Sequence, residues 1–419
     1  MNINPYSISQ YVCNFLNTVF DDKIHIDVLI NHYVINNVKK IPIYSFWNKK
    51  DNELLADFNG NSFNNDYIGT IFFFLSGYWE YTHDNIKDEY GRFPAKESFN
   101  YKKRILDKTI VDILVKRIAE ELTLDYNSFF SSPKIFITHD IDSLGMFDNN
   151  RHLIRSICGD LIKRRDMKLA LDKIGLKLRN SDPHSVYNLI DIHKEYNTKG
   201  TFFFMPGIQP KEMRGGYNLK SEAARLKSIK DSIMMLNGSI GLHYDSRYLK
   251  RNQLDKDKRI LGKLFDEEIR CGRAHYLLFD IKKSFGLYEK ANIEIDTTGS
   301  FADIAGFRFG TSYPFRPYNF LKDREYNLIE IPLIVMEGTL TEKYMNLSPQ
   351  EGFSYVTRLM DIIKKYNGVF TLLWHNTSFY TPEWRKWEWV YEATLEYGID
   401  NSFVFVNIDD FVDRRITIE

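Results

Sequence analysis

Lys134-Ile135-Phe136-Ile137-Thr138-His139-Asp140-Ile141-Asp142 is the stretch that decides how this chain is read. Its first four residues form the apolar, β-branched run of a buried strand. Side chains alternate along a strand, so Asp140 and Asp142 face the same way. Two carboxylates side by side at the end of a buried strand repel each other. They call for a metal ion, a proton or an arginine. The plainer alternative is that one Asp caps the next helix and the other is solvated.

Working outward, apolar runs at 200–205, 239–243, 274–278, 293–296, 328–333, 368–374 and 402–406 also read as strands. Helical stretches such as 185–196 separate them. That alternation indicates a parallel α/β sheet or barrel. Functional side chains in such barrels collect at strand C-termini. Asp140, Asp142, His243, His275, Asp296 and His375 occupy such positions, which argues for one shared site.

Residues 1–130 read as a smaller α+β domain, and 131–419 as the barrel. Short strands are expected at 25–30 and 41–44. Helices are expected at 66–81, with an aromatic face, and at 109–122, with apolar spacing at Ile110, Ile113, Leu114, Ile118 and Leu122. A polar linker at 127–133 joins the two parts.

Composition narrows the function. The 419 residues contain 56 Lys+Arg and 56 Asp+Glu, so the net charge is zero. That balance favours neither nucleic acid nor an anionic membrane. The 26 Tyr, 31 Phe and 6 Trp serve core packing or, alternatively, a cleft in which rings stack on sugars. Cys13, Cys158 and Cys271 form neither a disulfide framework nor a CxxC zinc knuckle. The N-terminus lacks the basic and apolar regions of a signal peptide, and no run approaches 18 apolar residues. The expectation is a soluble cytoplasmic protein with reduced thiols and no transmembrane segment. Nothing in the sequence indicates an oligomeric state.

Several residues have the chemistry for a reaction centre. A neutral His243 beside carboxylates suits a zinc-like ion, or else it is a core histidine bonded to backbone. His375 can donate a proton near neutral pH, or make a similar structural bond. Arg273 and His275 share strand-like spacing, and Arg273 beside a carboxylate would hold it ionised, unless it lies on the surface. Arg308, in the loop Gly306-Phe307-Arg308-Phe309-Gly310-Thr311, has two readings: contact with substrate or a buried carboxylate, or equally a pin for the loop. No Gly-x-Ser-x-Gly, P-loop or dinucleotide fingerprint is present, which counts against serine esterase, phosphoryl-transfer and dehydrogenase chemistry.

The ordered set Thr138-His139-Asp140-Ile141-Asp142, Thr201-Phe202-Phe203, Gly241-Leu242-His243, Arg273-Ala274-His275-Tyr276 and Leu373-Trp374-His375 resembles the polysaccharide deacetylase superfamily (NodB homology, carbohydrate esterase family four). Residues 72–81 and 88–93, with 296–300 and 306–311, resemble the branch of surface-polysaccharide gene clusters that has an extra N-terminal domain. The resemblance covers residues from about 70 to about 380 and rests on order and spacing.

It implies a distorted (β/α)7 barrel preceded by the smaller α+β domain, with a divalent metal of zinc type as cofactor. By position, Asp140 corresponds to the catalytic base, Asp142 and His243 to metal ligands, Arg273 to the residue that orients the base, and His375 to the general acid. Arg308, Trp374 and Tyr276 are the candidate substrate contacts. The chain departs from the family in one respect. Arg247 stands where a second metal-binding histidine is expected, and arginine cannot ligate a metal. The third ligand must come from Asp245, His275 or His139, with His275 favoured because its strand end faces the same cleft. The implied activity is hydrolytic removal of N-acetyl groups from an amino sugar of a bacterial surface polysaccharide or its precursor. A glycan-binding module that has lost the chemistry, and a hydrolase of O-acetyl or N-formyl groups, are the alternatives.

Overall fold

The computed structural model describes residues 3–20, 23–124, 131–147, 150–379 and 384–412. The expected linker at 127–133 lies largely outside them.

Among the described residues, nine parallel strands form the central sheet. Lys134–Ile141 is its longest strand and is buried throughout. Thr201–Phe204, Ser239–Tyr244, Cys271–Ala274, Ile295–Asp296 and Ile329–Glu330 follow to one side in sequence order. On the other side lie Val369–Leu373 and then Val335–Met336, and Val404–Val406 pairs with the start of Lys134–Ile141. Helices cover the outside. The result is a curled, open (β/α) barrel with an additional N-terminal α+β unit.

Alternation along the strands decides what enters the barrel. Phe136, Phe203, Cys271, Ile295, Val369 and Val406 make an inner apolar cluster, closed by Ile408 and Phe411. Thr138 and Asp140 continue the Phe136 face, and Arg273 continues that of Cys271. Ile135, Ile137 and Phe202 belong to the core against the helices. Asp140 stands opposite Phe203, Phe203 opposite Gly241, and His243 opposite Arg273. Gly241 is required in this register. A Cβ there would lie 2.5 Å from the Phe203 ring and 2.7 Å from Cys271 Sγ.

In the N-terminal unit, Pro5–Val19 starts with Pro at its first turn and an Asn4 cap, both favourable at a helix start. Three antiparallel strands follow, Ile26–Val28, His32–Ile35 and Lys39–Pro42. The expected strand at 41–44 therefore begins earlier, as the second arm of a hairpin with His32–Ile35. Asn36 and Asn37 turn that hairpin with positive φ, a conformation asparagine tolerates well. The single helix expected at 66–81 is two, Tyr67–Leu75 and Tyr78–Thr82. Gly77, at φ 63°, breaks it. Ile110–Leu122 follows the expected amphipathic pattern.

The N-terminal and barrel units share one continuous apolar core. Backbone bonds also join them, from Phe307 N–H to Leu106 O at 2.8 Å and from Val111 N–H to Gly310 O at 2.8 Å. Two expectations within the barrel are corrected. The strand placed at 274–278 ends at Ala274, and His275–Leu277 is a 3-10 turn. Val335–Met336, too short to give a periodic signal, is an additional strand.

Candidate metal and acid–base centre

The strand ends bring Asp142, His243 and His275 together, with one potential ligand atom from each within 4.8 Å of the others. Asp142 Oδ1 lies 3.3 Å from His243 Nε2 and 3.6 Å from His275 Nε2. Edges of a tetrahedral zinc site with bonds of about 2.1 Å are about 3.4 Å long, so these separations fit.

The protonation pattern fits as well. His243 Nδ1 lies 3.0 Å from the carbonyl oxygen of Arg273 and donates to it. That bond fixes the tautomer and leaves Nε2 as a lone pair. His243 Nε2 and Asp142 Oδ1 are both buried and make no hydrogen bond. Two such atoms facing each other in a buried place call for a cation or a proton between them. Burial pulls the His275 imidazole down to about 4 against the attraction of Asp142, which leaves it neutral and able to ligate.

On one flank, Asp140 Oδ2 lies 3.6 Å from His243 Nε2. Its other oxygen faces Arg273 Nη1 at 3.3 Å. Arg273 is fully buried. It donates to Thr138 Oγ1 at 2.6 Å, to Thr297 O at 2.9 Å and to Thr297 Oγ1 at 3.0 Å, and it stacks over Phe203. Four of the five N–H donors of its planar fork have these partners, so its position is tightly constrained.

On the other flank, His375 Nε2 lies 3.9 Å from Asp142 Oδ2. Its Nδ1 donates to Glu337 Oε1 at 2.6 Å, and its backbone N–H donates to the same oxygen at 3.1 Å. Ser378 Oγ adds a third bond to Glu337 Oε1 at 2.6 Å. Burial alone would lower the His375 pKa. The Glu337 carboxylate, its hydrogen bond, and the charges of Asp142 and Asp140 instead push it up to about 10.

Glu337 was not singled out from the sequence. It follows a two-residue strand and carries no local motif. Asn376, also missed, donates from Nδ2 to Ser143 O at 2.8 Å and to His184 O at 2.6 Å. It thereby joins the loop after Asp142 to the loop after His375.

The alternatives for the third ligand are engaged elsewhere. Asp245 accepts from the Arg247 guanidinium and from Gln209. This pairing is also where Arg247 finds its partner. His139 alternates to the helix-facing side, where its ring bonds Trp374 O at 2.7 Å and His193 at 2.8 Å.

Three sequence expectations are corrected. Arg308 does not reach the cleft. It is buried, pairs with Glu80 of the N-terminal unit and donates to Ser300 O. Its loop is the one that docks that unit, and a guanidinium buried there requires a carboxylate partner. Trp374 is 1% exposed and packs among Phe379, Trp384 and Tyr391, so it has no ring face to offer a sugar. Asp296 ends its strand in a separate network, accepting from the Tyr244 hydroxyl at 2.9 Å and from Thr298 N–H at 2.7 Å.

Tyr276 stands beside the cluster, half-buried, with its ring against His275. Tyr276 and Leu277 have positive φ of 59° and 50°. Such backbone in non-glycine residues costs about 1–3 kcal/mol each and concentrates at functional sites. Arg92 of the N-terminal unit braces the turn by donating to Tyr276 O at 3.1 Å.

The family model of DUF7033, a family of unknown function, matches residues 7–127. No curated protein matches the chain. Among solved structures, the chain is similar to a protein described as a polysaccharide deacetylase from Mycobacterium smegmatis, at 12% identity and a TM-score of 0.42, covering 67% of this chain and 89% of that one. It is also similar to the polysaccharide deacetylase Bc1974 from Bacillus cereus, at 10% identity and a TM-score of 0.33, covering 66% and 91%. A third, the family-four pseudoenzyme BA3943 from Bacillus anthracis, matches at 13% identity and a TM-score of 0.32, covering 67% and 66%.

Proposed function

We propose that this protein is a metal-dependent hydrolase that removes N-acetyl groups from an amino sugar of a bacterial surface polysaccharide or its precursor. The observation that carries the reading is the pair of unsatisfied acceptors, Asp142 Oδ1 and His243 Nε2, aimed at one point between Asp140 and His375. A zinc-like ion held by Asp142, His243 and His275 would supply a polarised amide carbonyl and an acidified water.

The chain's own residues then divide the proton work. Asp140, oriented by Arg273, takes the proton of the attacking water as general base. His375, cationic at neutral pH through Glu337, gives a proton from Nε2 to the leaving amine. Asp140 and His375 each have their own fixed partner, Arg273 and Glu337, on opposite flanks of the cluster. Tyr276 is the side chain placed to line the sugar. The same arrangement would serve an O-acetyl or N-formyl group.

The test is bound divalent metal in the purified protein and in Asp142→Ala and His243→Ala, with acetate release from acetylated amino-sugar oligomers. About one equivalent in the parent, lost in both variants, with acetate released only by the parent, is the expected result. No metal after incubation with Zn²⁺, and glycan binding that survives Asp140→Asn, would instead make the chain a binding module.

A further inference from the structure

The polypeptide that follows the Asp142 loop forms a helical hairpin whose two ends are tied together beside that loop, the Asp182 carboxylate accepting from Met146 N–H and Phe147 N–H at 2.9 and 3.0 Å. Its first arm is Asn150–Gly159, continued by Asp160–Arg164, and its second is Met167–Leu178. Arg165, at φ 52°, turns the chain, and the Asp166 carboxylate caps the second helix by accepting from Leu169 N–H at 2.9 Å. The arms hold each other through a buried Lys173–Asp160 pair at 2.6 Å, with Lys173 also donating to Ser156 at 2.8 Å.

The outer face of this hairpin has the wrong polarity for water. Met167, Leu171, Ile174 and Leu178 are 68%, 60%, 41% and 82% exposed. At three- and four-residue spacing they form a single stripe, opposite the buried Leu169, Ala170 and Lys173. Ile154, Leu161 and Ile162 form a second exposed stripe on the first arm. Lys168 and Arg179 flank the Met167 stripe on one side and Lys177 on the other. From 150 to 180 the sequence holds nine Lys or Arg and three Asp, an excess of six positive charges in a chain whose total is zero. The whole-chain balance hides this concentration.

We propose that this hairpin docks the protein on an anionic membrane surface. Apolar residues in a stripe bordered by long basic side chains match the acyl boundary and the headgroups of such a surface together. Self-association through the same face would bring two strongly positive surfaces into contact, which is unfavourable. Nucleic acid would satisfy the cations but leave the Ile, Leu and Met side chains unused. No helix among the described residues is long and apolar enough to cross a bilayer, so the docking is interfacial. Only the identity of what the cleft meets there, a glycan carried on lipid, rests on the hydrolytic reading.

The experiment is co-sedimentation of the full chain with vesicles of phosphatidylcholine alone or with one third phosphatidylglycerol. Binding to the anionic vesicles should exceed binding to the neutral ones by at least tenfold and should weaken as salt rises. It should fall at least tenfold in Leu171→Glu/Leu178→Glu. Both positions are exposed, so this variant should retain the parent's melting temperature and its metal content. No partition onto anionic vesicles, or equal partition of parent and variant, overturns the proposal. So does a dimer in sedimentation velocity that the variant abolishes. None of these readouts uses turnover, so failure of the hydrolytic reading would be seen separately.

Discussion

His375 donates through Nδ1 to Glu337 Oε1 at 2.6 Å, and Glu337 is 1% exposed. A buried carboxylate facing one ring nitrogen leaves the other, Nε2, as the proton-bearing atom turned toward Asp142. Glu337→Gln keeps the shape and removes the charge. The basic limb of the pH–rate profile should move to lower pH, and kcat at pH 8 should fall by about 10²–10⁴-fold, the usual range for a lost general acid. An unmoved basic limb would remove His375 from the acid role.

The same pair makes stability depend on pH. The folded pKa of His375, about 10, lies above its ordinary value of 6.5. Its contribution is therefore fully present below about pH 6.5 and is lost as pH rises through about 10. The urea midpoint of the parent should fall between pH 7 and pH 10.5, and that fall should be smaller in His375→Ala. An identical fall in both would show that another group is responsible.

Asp140→Asn and His375→Ala should each lower acetate release by at least about 10²-fold while leaving far-ultraviolet circular dichroism unchanged. Both should still bind metal, because neither residue belongs to the candidate metal cluster of Asp142, His243 and His275. Near-native turnover in either would discard the corresponding role.

Arg308 and Tyr276 should separate in opposite directions. Arg308→Met leaves Glu80 buried without its partner and should cost about 3–5 kcal/mol in denaturant unfolding, with KM changed less than about twofold. Tyr276→Ala removes a half-buried ring beside the cluster and should raise KM with little loss of stability. A KM effect confined to Arg308→Met would return that residue to the substrate.

Arg273 tests the other flank. Its guanidinium satisfies Thr138, Thr297 and Asp140 in one buried fork. Arg273→Lys keeps the charge but not the fork, so it should lose stability and should also lower kcat with KM little changed. Loss of stability with an unchanged kcat would make Arg273 a structural residue only.

Much of the fold was legible because strand signals are local. Phe136, Thr138 and Asp140 alternate with Ile135, Ile137 and His139, and a period of two needs no distant partner to be read. Asp142, His243 and His375 could be singled out for the same reason, each standing at or just past the end of an apolar run. The boundaries that failed were turns, at Gly77 and at His275–Leu277, where one backbone angle overrides side-chain periodicity.

Tertiary structure alone decided the partners. Glu337 meets His375 across 38 residues of chain and Glu80 meets Arg308 across 228, and neither acid differs in sequence from a solvated one. The sequence by itself determined which residue types stand at the strand ends. It could not assign Arg308 and Trp374 to the interior or Glu337 to the acid flank, because burial and charge pairing are properties of the closed sheet and arise only when distant segments exclude water together.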